Sequence, residues 1–173
     1  MGKYRIIRAL GQGGEGSVYL AEDENFGRQV AVKRLWGREE PEEASFLRDL
    51  RHPMLPVVYE LLHEDGWYLV MEYIEGISLH NYIEKQGRVE EGQARLWAAA
   101  LLDVLYYLHT RETPVIYRDL KPDNIMVCRE GSLKLVDFGA AALRCFGEAG
   151  VGRMAYSDGF AAPAQSGEDG LGV

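Results

Sequence analysis

Polar and apolar residues alternate with a period of two through the first third of the chain. Tyr4 to Leu10, Ser17 to Ala21 and Gln29 to Leu35 therefore read as strands, separated by glycine- or acid-rich turns. Asn25-Phe26-Gly27 has the residues of a hairpin tip. Two more strands are expected at Val57 to Leu62 and Trp67 to Met71, joined by His63-Glu64-Asp65-Gly66. Between these groups Pro41 to Leu50 carries helical spacing, with Ala44, Leu47 and Leu50 on one face. Pro41 suits the first turn of that helix, and His52-Pro53 ends it.

The pattern then changes to a period near 3.6. Ser78 can cap a short helix running to Lys85, and Gly92 to Leu108 predicts the strongest helix of the chain. Leu96, Ala99, Ala100, Leu102, Val104 and Leu108 surround so much of that helix that it is expected to be nearly buried. Short strands follow at Ile125 to Cys128 and Leu133 to Val136. From Gly147 onward the chain is glycine-rich and weakly patterned, and no internal repeat is present. Strands first and helices second imply an α+β chain of two lobes with a cleft between them.

Composition narrows the classes. The 173 residues are 47% hydrophobic and 27% charged, ordinary values for a globular chain with a core. The formal net charge of -8 gives no general attraction to nucleic acid or to an anionic membrane surface. A polyanionic ligand would need local positive charge and a metal. Cys128 and Cys145 lack both a disulfide framework and metal-ligand spacing, so a reducing, cytoplasmic setting is the expectation. The start, MGKYRIIRAL, is charged and alternating, unlike a signal peptide, and Ile6 argues against myristoylation of Gly2. No apolar run reaches the roughly 20 residues of a membrane helix.

Four motifs carry candidate chemistry. Gly11-Gln12-Gly13-Gly14-Glu15-Gly16 could let backbone amides approach phosphates. Alone it is weak, but Ser17-Val18-Tyr19-Leu20 continues as a strand, which favours a hairpin over a dinucleotide-binding turn. Lys33, in Val30-Ala31-Val32-Lys33, lies in an apolar strand and is costly there unless paired, with Glu43 or a phosphate as the anion. A lysine snorkelling from a strand edge is the plainer alternative. The stretch Val115 to Asn124 sets six polar or charged residues between apolar strands. There Asp119 could accept the proton of an attacking hydroxyl, Lys121 could balance charge on the transferred group, and Asn124 offers a neutral oxygen to Mg2+. Asp137-Phe138-Gly139 ends an apolar strand with a carboxylate, a further Mg2+ ligand.

In this order the four motifs resemble the eukaryotic-type protein kinase family, in its bacterial serine/threonine branch, over nearly the whole chain. The resemblance implies an antiparallel β-rich N-terminal lobe with hinge over residues 1–74 and a partial, largely helical C-terminal lobe over 75–173. It implies that Leu10, Gly11, Gly13, Gly16, Val18 and Ala31 enclose ATP, that Lys33 pairs with Glu43 and holds phosphates, and that Met71, Glu72 and Ile74 form gatekeeper and hinge. Asp119, Lys121 and Asn124 become the catalytic residues, and Asn124 and Asp137 the Mg2+ ligands. Leu47, Val58, Tyr117 and Phe138 match a hydrophobic spine. Ser157 to Gln165 resembles the end of an activation segment, with Ser157 facing the catalytic residues.

Two positions depart from the family pattern. Tyr117 replaces the usual histidine before Arg118-Asp119, and Ala164 stands where glutamate is usual. Tyr156 and Ser157 are the hydroxyl residues between Ala140 and Pro163, so regulation by a separate loop phosphate is expected to be absent. The resemblance also implies later helices that these 173 residues do not include. Leaving a few hundred Å² of apolar helix wet, at about 25 cal/mol per Å², would forfeit several kcal/mol, so a partner covering that surface is an expectation.

Transfer of phosphate from ATP to serine or threonine of a protein substrate is the leading function. A module that binds nucleotide or a partner without turnover is the alternative. A small-molecule kinase fits less well, because Ala162-Pro163 belongs to the activation segment of protein kinases.

Overall fold

The computed structural model describes residues 2–13, 16–35, 47–138 and 142–143. The chain divides into two compact units, Met1–Glu75 and Gly76–Val173.

The first unit is a five-stranded antiparallel sheet in the order β1-β2-β3-β5-β4. Its strands are β1 (Tyr4–Gly13), β2 (Gly16–Asp23), β3 (Arg28–Leu35), β4 (Val58–His63) and β5 (Trp67–Glu72). The period-two pattern settles its two faces. Tyr4, Ala21, Val30, Val32, Tyr68 and Val70 pack together on one side, with Leu62 against them. The β2–β3 turn holds Asn25-Phe26-Gly27 as expected: the Gly27 amide donates to the Asp23 carbonyl at 2.8 Å and the Asn25 amide to the Asp23 side chain at 3.2 Å. β1 runs three residues past Leu10, and Gly13 pairs with Gly16. Gly11 to Gly13 thus end one strand, and Gly16 begins its antiparallel partner. The expected helix at Pro41 to Leu50 falls largely outside the described residues, as does Glu43. Leu47 and Leu50 are buried.

The second unit opens with β6 (Gly76–Ser78), which joins β8 (Ile125–Cys128) and β9 (Leu133–Leu135) in a three-stranded antiparallel sheet. Gly76 is required there, since a Cβ would meet the Val127 carbonyl oxygen at 2.3 Å. Helix α1 (Leu79–Gln86) starts where Ser78 Oγ accepts the Asn81 amide at 3.2 Å, as the sequence predicts. It ends at Gly87, whose φ of 78° is left-handed. Helix α2 (Glu91–His109) follows. Then come β7 (Val115–Ile116), which pairs with β10 (Ala142–Leu143), and a single 3-10 turn at Pro122–Asn124. Strands of two or three residues, such as β6, β7 and β10, are too short to show a period.

Helix α2 corrects one expectation. It is not nearly buried: Trp97, Val104 and Leu108 are its buried residues, while Leu96 is 67% exposed and Leu102 68%. Composition overstated burial because a helix buries only the stripe that meets a neighbour. The stripe centred on Trp97 does so: its Nε1 donates to the Gly131 carbonyl at 3.0 Å, and its ring meets Tyr82 edge-on at 5.3 Å.

Candidate active site

In the second unit, the segment after β7 turns sharply and enters β8 through the 3-10 turn. This brings three of the expected residues together. Asp119 Oδ2 accepts from Lys121 Nζ at 2.8 Å and from Asn124 Nδ2 at 2.9 Å. The same Nδ2 donates to the Asp119 carbonyl at 2.9 Å. The Asn124 amide nitrogen is thereby committed to Asp119, which turns its amide oxygen to the opposite side. Asn124 is buried, and the carboxylate and ammonium are largely so. A carboxylate oriented by two donors is held in one geometry, the condition for accepting a proton along a defined line.

Asp137 follows β9. Its φ is 64°, and that of Arg118 is 66°. Among the described residues these are the non-glycine positions with left-handed backbone: Arg118 lies within the charged loop and Asp137 just after β9. Such conformations cost on the order of 1–3 kcal/mol each and collect at functional sites. The Val136 amide donates to the Asn124 carbonyl at 2.9 Å, which ties the strand carrying Asp137 to the residue expected to share its metal. Tyr117 and Phe138 are both buried and meet edge-on, with ring centroids 5.0 Å apart. The Tyr117 hydroxyl donates to the Val136 carbonyl. The sequence reading missed this bond, although the signal existed: a tyrosine between apolar residues generally finds a partner for its hydroxyl when buried.

The side-chain oxygens of Asn124 and Asp137 are of a type that would fit a hard divalent cation taking its remaining ligands from phosphate and water. Among the described residues no group of three or more His, Cys, Asp or Glu converges as a metal cage.

In the first unit, cross-strand register assembles a second group. Val18 lies opposite Lys33, and Ala31 opposite Met71. Residues two apart on a strand share a face, so Val18, Ala31, Lys33 and Met71 all project from the side opposite the Tyr4–Val70 cluster. Lys33 is only 4% exposed. Leu10, Gly11 and Gly13 lie on β1 and Gly16 on β2, with Gly11 opposite Val18. Gly11 has open space around it, whereas a Cβ on Gly16 would stand 2.0 Å from the Arg34 carbonyl oxygen. Glu72 pairs with Val30 on the other face. Its carboxylate accepts the Val57 amide at 3.1 Å, and its own amide donates to the Val57 carbonyl at 2.8 Å. Ile74 lies just beyond β5. Gly14, Glu15, Gly139 and the expected activation segment, Ser157 and Ala162-Pro163 included, lie outside the described residues.

Comparison with known proteins agrees with this geometry. The family profile described as the protein kinase domain matches residues 4–166. The chain belongs to the protein kinase domain family. It is 35% identical over 150 residues to the serine/threonine-protein kinase PrkC of Bacillus subtilis (strain 168), covering 81% of this chain and 23% of that protein. It is 34% identical over 153 residues to CBL-interacting serine/threonine-protein kinase 8 of Arabidopsis thaliana, covering 83% and 34%. With CBL-interacting serine/threonine-protein kinase 19 of the same plant it shares 36% over 154 residues, covering 83% and 31%. The chain thus spans between 23% and 34% of the length of these relatives. No helix among the described residues is long and apolar enough to cross a membrane.

Proposed function

We propose that this chain transfers the γ-phosphoryl group of ATP to serine or threonine hydroxyls of protein substrates. The observation that carries the proposal is the Asp119 carboxylate held at once by Lys121 at 2.8 Å and Asn124 at 2.9 Å. Asp119 takes the proton of the attacking hydroxyl as its oxygen bonds to phosphorus, and the bond to the β-phosphate oxygen breaks to release ADP. Lys121 balances negative charge on the transferred group. Asn124 and Asp137 hold Mg2+, which when bound neutralises charge on the phosphates.

Residues 1–74 serve as the nucleotide lobe in this reading. Leu10, Gly11, Gly13, Gly16, Val18 and Ala31 enclose ATP, Lys33 binds phosphate with Glu43 as its ion-pair partner, and Met71, Glu72 and Ile74 border the adenine. The common face of Val18, Ala31, Lys33 and Met71 supports this assignment. Residues 75–173 supply the catalytic loop and the activation segment. The net charge of -8 supports a protein substrate over nucleic acid, and a cytoplasmic setting supplies the ATP. The exposed Leu96, Leu102 and Tyr106 support cover of the second unit by further polypeptide.

Radiolabelled ATP with a generic protein substrate tests the assignment. Asp119→Asn should lower transfer by about 10²- to 10⁴-fold while leaving Mg-ATP binding within about twofold. Binding of Mg-ATP with no Asp119-dependent transfer would instead identify a nucleotide-binding module without turnover.

A further inference from the structure

We propose that the exposed stripe of α2 docks a second copy of this chain, antiparallel, about a two-fold axis at Ala99. Trp97, Val104 and Leu108 are buried along one side of the helix. Leu96, Ala99, Leu102 and Tyr106 are exposed, and their spacings of three and four residues gather them on another side. Arg95 and Asp103 are exposed on the same stripe.

The order of these residues is self-complementary. Leu96 and Leu102 lie three positions either side of Ala99, Arg95 and Asp103 four, and Gly92 and Tyr106 seven. An antiparallel pair about a two-fold axis sets each residue opposite the one equally far beyond the axis. Leucine then meets leucine, arginine meets aspartate, and tyrosine meets glycine. Ala99 meets Ala99, whose small side chain lets the helices approach to the near end of the usual interaxial range of about 8–10 Å. Symmetry makes the Arg95–Asp103 contact occur twice. A parallel pair in register would instead set Arg95 against Arg95 and Asp103 against Asp103, which like charge disfavours. Arg95 already bonds Glu91 within its own helix, through Nε at 3.1 Å and Nη2 at 2.6 Å. A guanidinium carries further N–H donors, so it can bond a carboxylate of a second copy as well. One helix pair is a small interface, which sets the expected dissociation constant in the micromolar range.

Sedimentation equilibrium of the 173-residue chain between about 1 and 100 μM tests the pairing. Wild type should fit a monomer–dimer equilibrium. Arg95→Asp sets like charges opposite each other at both symmetric positions and should weaken dimerisation by about tenfold or more, as should Asp103→Arg. The two substitutions in one chain restore opposite charges and should recover most of the affinity. A wild-type monomer throughout the range would overturn the inference and assign the stripe to a different polypeptide. A double variant as weak as either single one would overturn it too. Should a charge variant fail to fold, cysteine cross-linking decides the matter. Ala99→Cys stands on the axis and should form an intermolecular disulfide on oxidation. Ala94→Cys, also exposed but five residues away, should stay at the wild-type background set by Cys128 and Cys145. Equal cross-linking at the two positions would overturn the inference.

Discussion

Tyr4 shows how a single buried side chain ties stability to pH. Its hydroxyl donates to Glu60 Oε2 at 2.7 Å, and Lys3 Nζ lies 2.9 Å from the same oxygen. Burial, then the hydrogen bond to Glu60, push the Tyr4 phenol up from 10.0 to about 12. The bonds from Lys3, then Tyr4, hold Glu60 below its usual 4.5. The neutral phenol is thus favoured by folding. Its contribution is complete below pH 10, where the unfolded tyrosine is still protonated, and is lost between about pH 10 and 12 as the unfolded chain ionises first. Glu60 works in the opposite direction: its contribution is present above pH 4.5 and is lost as the pH falls. Urea unfolding across pH should show both limbs. Tyr4→Phe should flatten the alkaline limb in part, leaving the share of Tyr68, whose phenol is raised by its bond to Asp65 and by burial. An unchanged slope above pH 10 would contradict this account.

At the scale of elements, the β1–β2 hairpin separates two reasons for glycine. The motif suggested one function for Gly11, Gly13 and Gly16 alike. The structure gives Gly16 a packing duty, because its φ is 151° and a Cβ would overlap the Arg34 carbonyl at 2.0 Å. Gly16→Ala must part β2 from β3 and should cost about 2–4 kcal/mol in chemical denaturation. Gly11 meets nothing within 4 Å. Gly11→Ala should change stability by less than about 1 kcal/mol and, on the proposed reading of Gly11 as part of the nucleotide enclosure, weaken nucleotide binding measured by calorimetry. Equal stability losses in the two variants would remove the distinction. Helix α2 carries the same lesson: its sequence showed a helix, but contact with Tyr82 and the Gly131 carbonyl selected which stripe is buried.

For the molecule as a whole, the exposed face of α2 is the main liability. Leu96, Leu102 and Tyr106 are 67%, 68% and 70% exposed. Apolar groups presented together favour association. Leu96→Glu combined with Leu102→Glu should reduce self-association seen by light scattering and shift the melting temperature by no more than a few degrees, because neither side chain is buried. A large stability loss would mean that these residues are packed in solution. Trp97→Ala, by contrast, removes a buried ring and a hydrogen bond, and should cost about 3–5 kcal/mol.

The sequence by itself determined the strands of the first unit and their faces, because a period of two is written in neighbouring residues. Once Val18, Ala31, Lys33 and Met71 are placed on strands, pairing needs only register to gather them. It also singled out candidate side chains for the proposed chemistry, since Asp119, Lys121, Asn124 and Asp137 stand out by type and order. Only the tertiary structure decided how they are held. The bond from Tyr117 to Val136 spans 19 residues, and that from Trp97 to Gly131 spans 34. The left-handed backbone of Arg118 belongs to a residue with no local preference for that region, whereas Asp137 is of a type that enters it more readily. Such features arise from contacts between distant parts of the chain, so no local pattern of polar and apolar residues encodes them.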